Sequence, residues 1–156
     1  MITSINIRIA TVADVEVLLP MFRRYQAHYS QLTTATEEKT RAFLVDLISR
    51  PAQGFALIAE SKIEVIGFAT GFVTVSGVLA EQMIHLGDLY VDGAFRRQGV
   101  ATRLMASVVD EATSRGVALV RWLSLASNSE LNHWYESLGT SSGEFRLFIK
   151  PIKNGG

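Results

Sequence analysis

The segment HLGDLYVDGAFRRQGVATRLMAS, residues 85–107, decides how this chain folds. It reads as the end of a β-strand over residues 84–91, a turn at Asp92 and Gly93, a short polar loop, and a helix that begins near Gly99. A helix N-terminus leaves several backbone N–H groups unpaired and carries a partial positive charge, so it suits a phosphate group. The segment therefore predicts a pyrophosphate-binding loop between a strand and a helix.

The residue types of this loop fit that interpretation. Gly99 lets the backbone come close to a ligand, and the small Ala101 does not block it. Arg96 and Arg97 add full positive charge beside the loop. The predicted phosphate-binding residues are Arg96, Arg97, Gln98, Gly99, Val100 and Ala101, with Thr102 at the next turn.

Length and composition set limits on the protein. We expect 156 residues to form one domain over residues 1–152, followed by a frayed tail, residues 153–156. The formal net charge is zero, which argues against nucleic acid as the main partner. The chain has no cysteine, which excludes disulfides and a cysteine nucleophile and is compatible with a reducing cytoplasm. No apolar run approaches the roughly 20 residues needed to cross a bilayer.

Hydrophobic periodicity predicts the order β-α-α-β-β-β-α-β-α-β. An alternating strand near the N-terminus precedes two helices, and residues 54–60 and 65–76 form a hairpin. After the phosphate loop and its helix come a strand over residues 118–125, a short helix over 128–138 and a final edge strand over 145–149. Strand–helix–strand around the loop requires parallel strands, whereas the hairpin is antiparallel. The fold class is therefore α/β with a mixed sheet.

Two motifs carry a family resemblance. Residues 96–101 fit [Q/R]-x-x-G-x-[G/A], and residues 128–139, NSELNHWYESLG, fit N-x-x-[A/L]-x-x-[F/L/W]-Y-x-x-x-G. In this order and separation the chain resembles the GNAT superfamily of N-acetyltransferases over nearly its whole length. The resemblance implies acetyl-CoA as co-substrate. It also implies a central, mostly antiparallel sheet flanked by helices, in which parallel strands 4 and 5 splay apart and the pantetheine arm lies between them.

The resemblance also implies roles for individual residues. Leu89, Tyr90 and Val91 would lie along the pantetheine arm, where the exposed backbone groups of Leu89 and Val91 would pair with its amides. Asn128 would lie near the same arm. Tyr135 would sit by the CoA sulfur and act as the general acid.

The general base is an open assignment at this stage. Family members often carry Glu on the strand before the phosphate loop, and His85 falls at that position. A neutral His accepts a proton at physiological pH directly or through water. Another subset of the family has Glu where this chain has Gly87, so that version of the base is missing. Asp88 points away from the face of His85 and Gly87 unless a bulge intervenes. His85, Asp88 and a water thus stay as alternatives, and no metal is required.

The expected reaction is acetyl transfer by direct attack of an amine in a ternary complex. The acceptor is expected to be a primary amine of a small molecule, because LGDLYV and NHWYESLG are similar to small-amine acetyltransferases; a peptide N-terminus or a lysine is the alternative. Acceptor specificity is expected from Tyr25, His28, Tyr29 and the loop over residues 77–83.

A rival interpretation is a non-catalytic acyl-CoA-binding or regulatory module of the same fold, which the missing Glu at Gly87 keeps open. A homodimer is a further expectation for partners, with residues 65–76 or the final strand as the candidate edge.

Overall fold

The computed structural model describes residues 4–30 and 32–152. These residues form two compact units, one within Met1–Leu123 and one within Ser124–Gly156. The single domain over residues 1–152 stays a prediction, and the expected frayed tail lies outside the described residues. In the described part of the chain, no helix is both long and apolar enough to cross a bilayer.

The first unit is built on a mixed five-stranded sheet. Its strands are β1 (Asn6–Ile9), β2 (Gly54–Glu60), β3 (Val65–Ser76), β4 (Glu81–Val91) and β5 (Val120–Arg121), and its helices are α1 (Val15–Ala27), α2 (Glu37–Ser49) and α3 (Val100–Ser114). The strands lie in the order β1-β2-β3-β4-β5, and every neighbouring pair is antiparallel except the parallel pair β4–β5. The predicted mixed, mostly antiparallel sheet is confirmed.

The two faces of the sheet are covered by different helices. On one face, the ring of Phe68 stacks on that of Phe22 from α1, with centroids 4.7 Å apart. On the other face, a Cβ atom built on Gly67 would lie 3.4 Å from Cδ1 of Leu104 in α3. Phe22, Phe68 and Leu104 are all buried, so the hydrophobic core extends to both sides of β3.

The parallel strands β4 and β5 are paired over only two residues each. Their register pairs are Ile84 with Val120 and His85 with Arg121. The predicted strand over residues 118–125 is therefore reduced to Val120–Arg121, and Leu123 and Leu125 are exposed. Beyond His85, β4 is paired with β3 alone among the described residues. This is the splayed arrangement that was expected for strands 4 and 5.

The predicted edge strand over residues 145–149 is wrong, because these residues form no strand in the structure. A strand needs a neighbouring strand with which to exchange backbone hydrogen bonds. The described residues of the second unit contain one helix, α4 (Ser129–Glu136), and no strand. The apolar side chains of the segment also gain little burial, since Phe145 is 82% and Phe148 is 87% exposed.

A β-bulge at Gly87 interrupts the ladder between β3 and β4. Thr70 pairs with Asp88 and Gly71 pairs with Leu86, which leaves Gly87 without a partner on β3. A Cβ atom at Gly87 would lie 2.0 Å from Cε2 of Phe72, so the phenyl ring occupies the space of a side chain at this position.

The bulge changes the face on which Asp88 lies. Asp88 pairs with Thr70 and His85 pairs with Phe72. Thr70 and Phe72 are two residues apart on a regular stretch of β3, so they share a face. His85 and Asp88 therefore share that face as well. Asp88 was expected to point away from His85 unless a bulge intervened, and the bulge at Gly87 is that exception.

The contact between Gly87 and Phe72 predicts a coupled effect on stability. Gly87→Ala should destabilise the protein by about 1–3 kcal/mol, because the added methyl group overpacks against the phenyl ring. In a Phe72→Leu background the penalty should shrink, since the ring is gone. Urea unfolding of the four proteins in this cycle measures both values.

Gly93→Ala is the matched control, because a Cβ atom at Gly93 would meet no other atom within 4 Å. We expect it to change stability by less than about 0.5 kcal/mol. A Gly87→Ala penalty of the same size in both backgrounds would show that Phe72 does not impose the glycine.

Candidate active site

The loop between β4 and α3 has the backbone of an open helix N-terminus. Gly99 is the residue before α3 and adopts the left-handed conformation, with φ of 82°, and it makes no side-chain cap. Arg97 is also left-handed, with φ of 61°, which is uncommon for a residue with a side chain and clusters at ligand sites. The first backbone bond of α3 runs from Arg103 N–H to the Gly99 carbonyl, at 3.1 Å.

The amides just before that first bond therefore have no partner within the helix: those of Val100, Ala101 and Thr102. The side chain of Val100 is buried, which anchors the first turn to the core. Gln98, Arg97 and Arg96 are exposed. The predicted strand–loop–helix geometry is confirmed, and its use for a pyrophosphate stays a prediction.

Arg96 ties the loop back to the end of β4. Its Nε donates a hydrogen bond to the Val91 carbonyl at 3.0 Å. The centre of its guanidinium lies 5.6 Å from the centroid of the Tyr90 ring, within the range of a cation–π contact. Arg96 therefore shapes the loop as well as adding charge to it.

The C-terminal half of β4 offers backbone donors toward the gap beside β5. Asp92 N–H donates to the Ile66 carbonyl of β3 at 2.9 Å. Since backbone groups alternate sides along a strand, the N–H groups of Leu89 and Val91 point away from β3. The Val91 carbonyl already accepts a hydrogen bond from Arg96.

His85 is half-buried on the face toward α1. Its buried Nδ1 has no hydrogen-bond partner among the described residues. Burial lowers the pKa of His85 below its usual 6.5, and the positive charge of Arg121 lowers that pKa further, whereas Asp88 opposes the change. The imidazole is therefore neutral at physiological pH, which is the state that a general base requires.

Asp88 is engaged by two hydroxyl groups. The Thr70 hydroxyl donates a hydrogen bond to Oδ2 of Asp88, and the Tyr25 hydroxyl hydrogen-bonds to the same carboxylate. Burial raises the pKa of Asp88, while these two bonds act in the opposite direction. Burial, together with the Asp88 charge, raises the pKa of Tyr25 as well. Asp88 thus connects β4 to both β3 and α1.

The aromatic residues predicted for acceptor specificity gather on this same face. Ring centroids are 5.3 Å apart for Tyr25 and Tyr29, 5.8 Å for Tyr25 and Tyr90, and 5.9 Å for His28 and Tyr90. The Tyr90 ring therefore packs between α1 and Arg96. Of the loop expected over residues 77–83, only residues 77–80 form a turn, because Glu81 already belongs to β4.

Three residues of this face were not found by sequence reasoning. Thr70 and Phe72 belong to a strand that reads as plain hydrophobic alternation, and Arg121 lies inside an apolar run. Their relation to His85 and Asp88 follows from the register of three strands. The one available signal was Gly87 next to Asp88, since glycine within a strand often marks a bulge.

The second unit carries the other motif on α4. The Oδ1 atom of Asn128 accepts a hydrogen bond from Leu131 N–H at 3.1 Å, so Asn128 caps the helix. Nδ2 of Asn132 donates to the Leu125 carbonyl at 3.0 Å. The Tyr135 ring lies beside that of Trp134, with centroids 5.2 Å apart. A helix at this motif is confirmed, whereas the roles of Asn128 and Tyr135 stay predictions.

Comparison with known proteins shows the family of the chain. Residues 19–140 match the acetyltransferase (GNAT) family. The chain is 29% identical over 134 residues to the uncharacterized N-acetyltransferase YhfO of Bacillus subtilis (strain 168), covering 86% of this chain and 88% of that protein. A crystal structure of a probable acetyltransferase superposes with a TM-score of 0.83 at 26% identity, covering 96% of this chain and 99% of the other.

Two further relatives match a shorter part. One is the L-ornithine N5-acetyltransferase NATA1 of Arabidopsis thaliana, 29% identical over 79 residues, which are 51% of this chain and 35% of that protein. The other is the [ribosomal protein bS18]-alanine N-acetyltransferase of Escherichia coli (strain K12), 33% identical over 90 residues, which are 57% of this chain and 59% of that protein. With the family matched over most of its length, the chain belongs to the acetyltransferase (GNAT) family and is an N-acetyltransferase.

Proposed function

We propose that this N-acetyltransferase takes its acetyl group from acetyl-CoA and transfers it to a primary amine of a small molecule by direct attack in a ternary complex. One observation carries the proposal: an uncapped helix N-terminus at Gly99 is joined by the loop of residues 92–98 to a strand whose edge opens beyond His85. An anion and an extended, amide-bearing arm can therefore be bound side by side.

The donor would be bound mainly through backbone groups. The amides at the start of α3, with Arg96, Arg97 and Gln98 beside them, would bind the pyrophosphate. The N–H groups of Leu89 and Val91 would pair with the pantetheine arm, because exposed strand amides require acceptors. Asn128 is proposed to lie near the same arm.

The transfer itself needs few groups. The acceptor must lose a proton, since an ammonium has no lone pair, and His85 would accept that proton directly or through a water. A C–N bond then forms and the C–S bond breaks, with the oxyanion stabilised by backbone N–H groups of β4. Tyr135 would protonate the departing thiolate.

A small acceptor is supported by the face around His85. Tyr25, Tyr29 and Tyr90 form a compact aromatic cluster, in which Tyr90 is buried and the other two are half-buried, and Tyr25 hydrogen-bonds to Asp88. A relative that is named for L-ornithine acetylates a small molecule. A relative that is named for the alanine of ribosomal protein bS18 makes a protein N-terminus the competing acceptor.

The donor proposal predicts stabilisation by acetyl-CoA that depends on the loop. Acetyl-CoA at about 100 times its Kd should raise the Tm by about 5–10 °C. Gly99→Ala should cost about 1–2 kcal/mol of stability, because alanine is strained at positive φ, and should also weaken the acetyl-CoA shift by altering the loop. Thermal denaturation with and without acetyl-CoA measures both effects.

Gly116→Ala is a matched control at the other end of α3. Gly116 is left-handed with φ of 66°, and a Cβ atom there, as at Gly99, would meet nothing within 4 Å. We expect a similar loss of stability with a full acetyl-CoA shift. If saturating acetyl-CoA does not stabilise the unsubstituted protein, the donor proposal fails.

The base assignment predicts a break in the pH profile. Below the pKa of His85, log(kcat/KM) for the amine should rise with a slope near 2, because both His85 and the amine must lose a proton. Above it the slope should be near 1, up to the amine pKa. Because burial lowers the pKa of His85, the break should lie below pH 6.5.

Substitution separates His85 from the other bases. His85→Gln should remove the break and reduce kcat/KM by about 10²–10⁴-fold, whereas His28→Gln should keep the break. A break that survives in His85→Gln would assign the titration to another side chain, such as Asp88.

The acid assignment predicts a selective loss of turnover. Tyr135→Phe removes only a hydroxyl group, so kcat should fall by about 10²–10⁴-fold while the Tm shift with acetyl-CoA is retained. Thiol release measures the first and thermal denaturation the second. An unchanged kcat would exclude Tyr135 as the acid.

A further inference from the structure

We propose that Arg121 selects acceptors that carry a carboxylate close to the amine, so that the acceptor is an amino-acid-like molecule. The inference rests on the proposed function and names the substrate class for that site.

The first observation is the position of Arg121. It lies directly opposite His85 in the parallel pairing of β4 and β5. Residues opposite each other in neighbouring strands share a face, so Arg121 is on the face that holds His85 and Asp88. The charge of Arg121 accordingly lowers the pKa of His85.

The second observation is that Arg121 is exposed and forms no ion pair with any residue that the structure describes. Some of the other arginines of the first unit are engaged in ion pairs. Ion pairs are formed by Arg8, Arg24, Arg41, Arg50 and Arg115. The guanidinium of Arg121 is therefore available to an anion from solution.

Charge chemistry then determines which amines fit. The guanidinium fork binds a carboxylate through two parallel hydrogen bonds. A diamine would instead bring a second ammonium toward this cation. Asp88, the carboxylate on the same face, already accepts hydrogen bonds from Thr70 and Tyr25. Arg121 thus favours one class of acceptor and disfavours the other, which is how specificity commonly arises.

The spacing indicates that both groups belong to one small molecule. Neighbouring strands lie about 4.8 Å apart. The backbone positions of His85 and Arg121 are therefore neighbours, so one amino acid can place its amine near the first residue and its carboxylate near the second. A polycationic acceptor, or a peptide whose carboxylates are distant, does not meet this requirement.

The test uses acceptors in matched pairs that differ only by the carboxylate. Ornithine is compared with 1,4-diaminobutane, lysine with 1,5-diaminopentane and alanine with ethylamine, and a peptide beginning with alanine is added. Thiol release gives kcat and KM for each. The unsubstituted enzyme should prefer the amino acid of at least one pair by about 10- to 100-fold.

Substitutions then assign the preference to Arg121. Arg121→Gln should reduce the ratio within that pair toward one, mainly through the KM of the amino acid, and Arg121→Glu should invert the ratio. A general effect of Arg121 on His85 would change both members of a pair alike and leave the ratio unchanged. Arg50→Gln, which removes an exposed arginine directly after α2, is the control and should leave the ratio as it is.

The outcomes of these experiments distinguish a failure of this inference from a failure of the proposed function. Equal or better rates with the diamines, a peptide as the best acceptor, or a ratio that Arg121→Gln does not change would each overturn the role of Arg121. Acetyl-CoA stabilisation without thiol release for any of the amino acids would overturn it too. An absence of any acetyl-CoA shift would instead contradict the donor proposal.

Discussion

The packing of the Phe72 ring over Gly87 is the constraint on which the proposed site depends. Because the ring occupies the place of a side chain at residue 87, only glycine fits at this position of the bulge. Without the bulge, Asp88 would turn toward the α3 face and lose its bonds to Thr70 and Tyr25. The contact between the half-buried Phe72 and Gly87 therefore lies at the bulge that puts Asp88 on the face of His85.

The charges on this face favour the neutral form of the His85 imidazole. Asp88 is buried and held by two hydroxyl groups, and Arg121 is exposed at the opposite side of His85. Burial and the nearby cation both keep the pKa of His85 low. A chain that lacks Glu at residue 87 can still place a neutral, proton-accepting group here, because the surroundings supply what the residue type alone does not.

The parts predictable from sequence are those whose cause is local. The helix start at Gly99 and the capped start of α4 at Asn128 follow from residue types within a few positions, and both are present. The bulge has one local signal, the glycine at residue 87. The pairing of His85 with Arg121 depends on which strands become neighbours, so no local pattern contains it. The prediction of a strand over residues 145–149 was wrong for the same reason, because alternating apolar residues form a strand only where a partner strand exists.

The short pairing between β4 and β5 has a consequence for acceptor binding. Two register pairs hold Arg121 opposite His85, and such a short strand opens at little cost in free energy. An acceptor bound to both strands would act as a further cross-link between them. By linkage, the ordering of this edge and the affinity for the acceptor must then strengthen each other to the same degree.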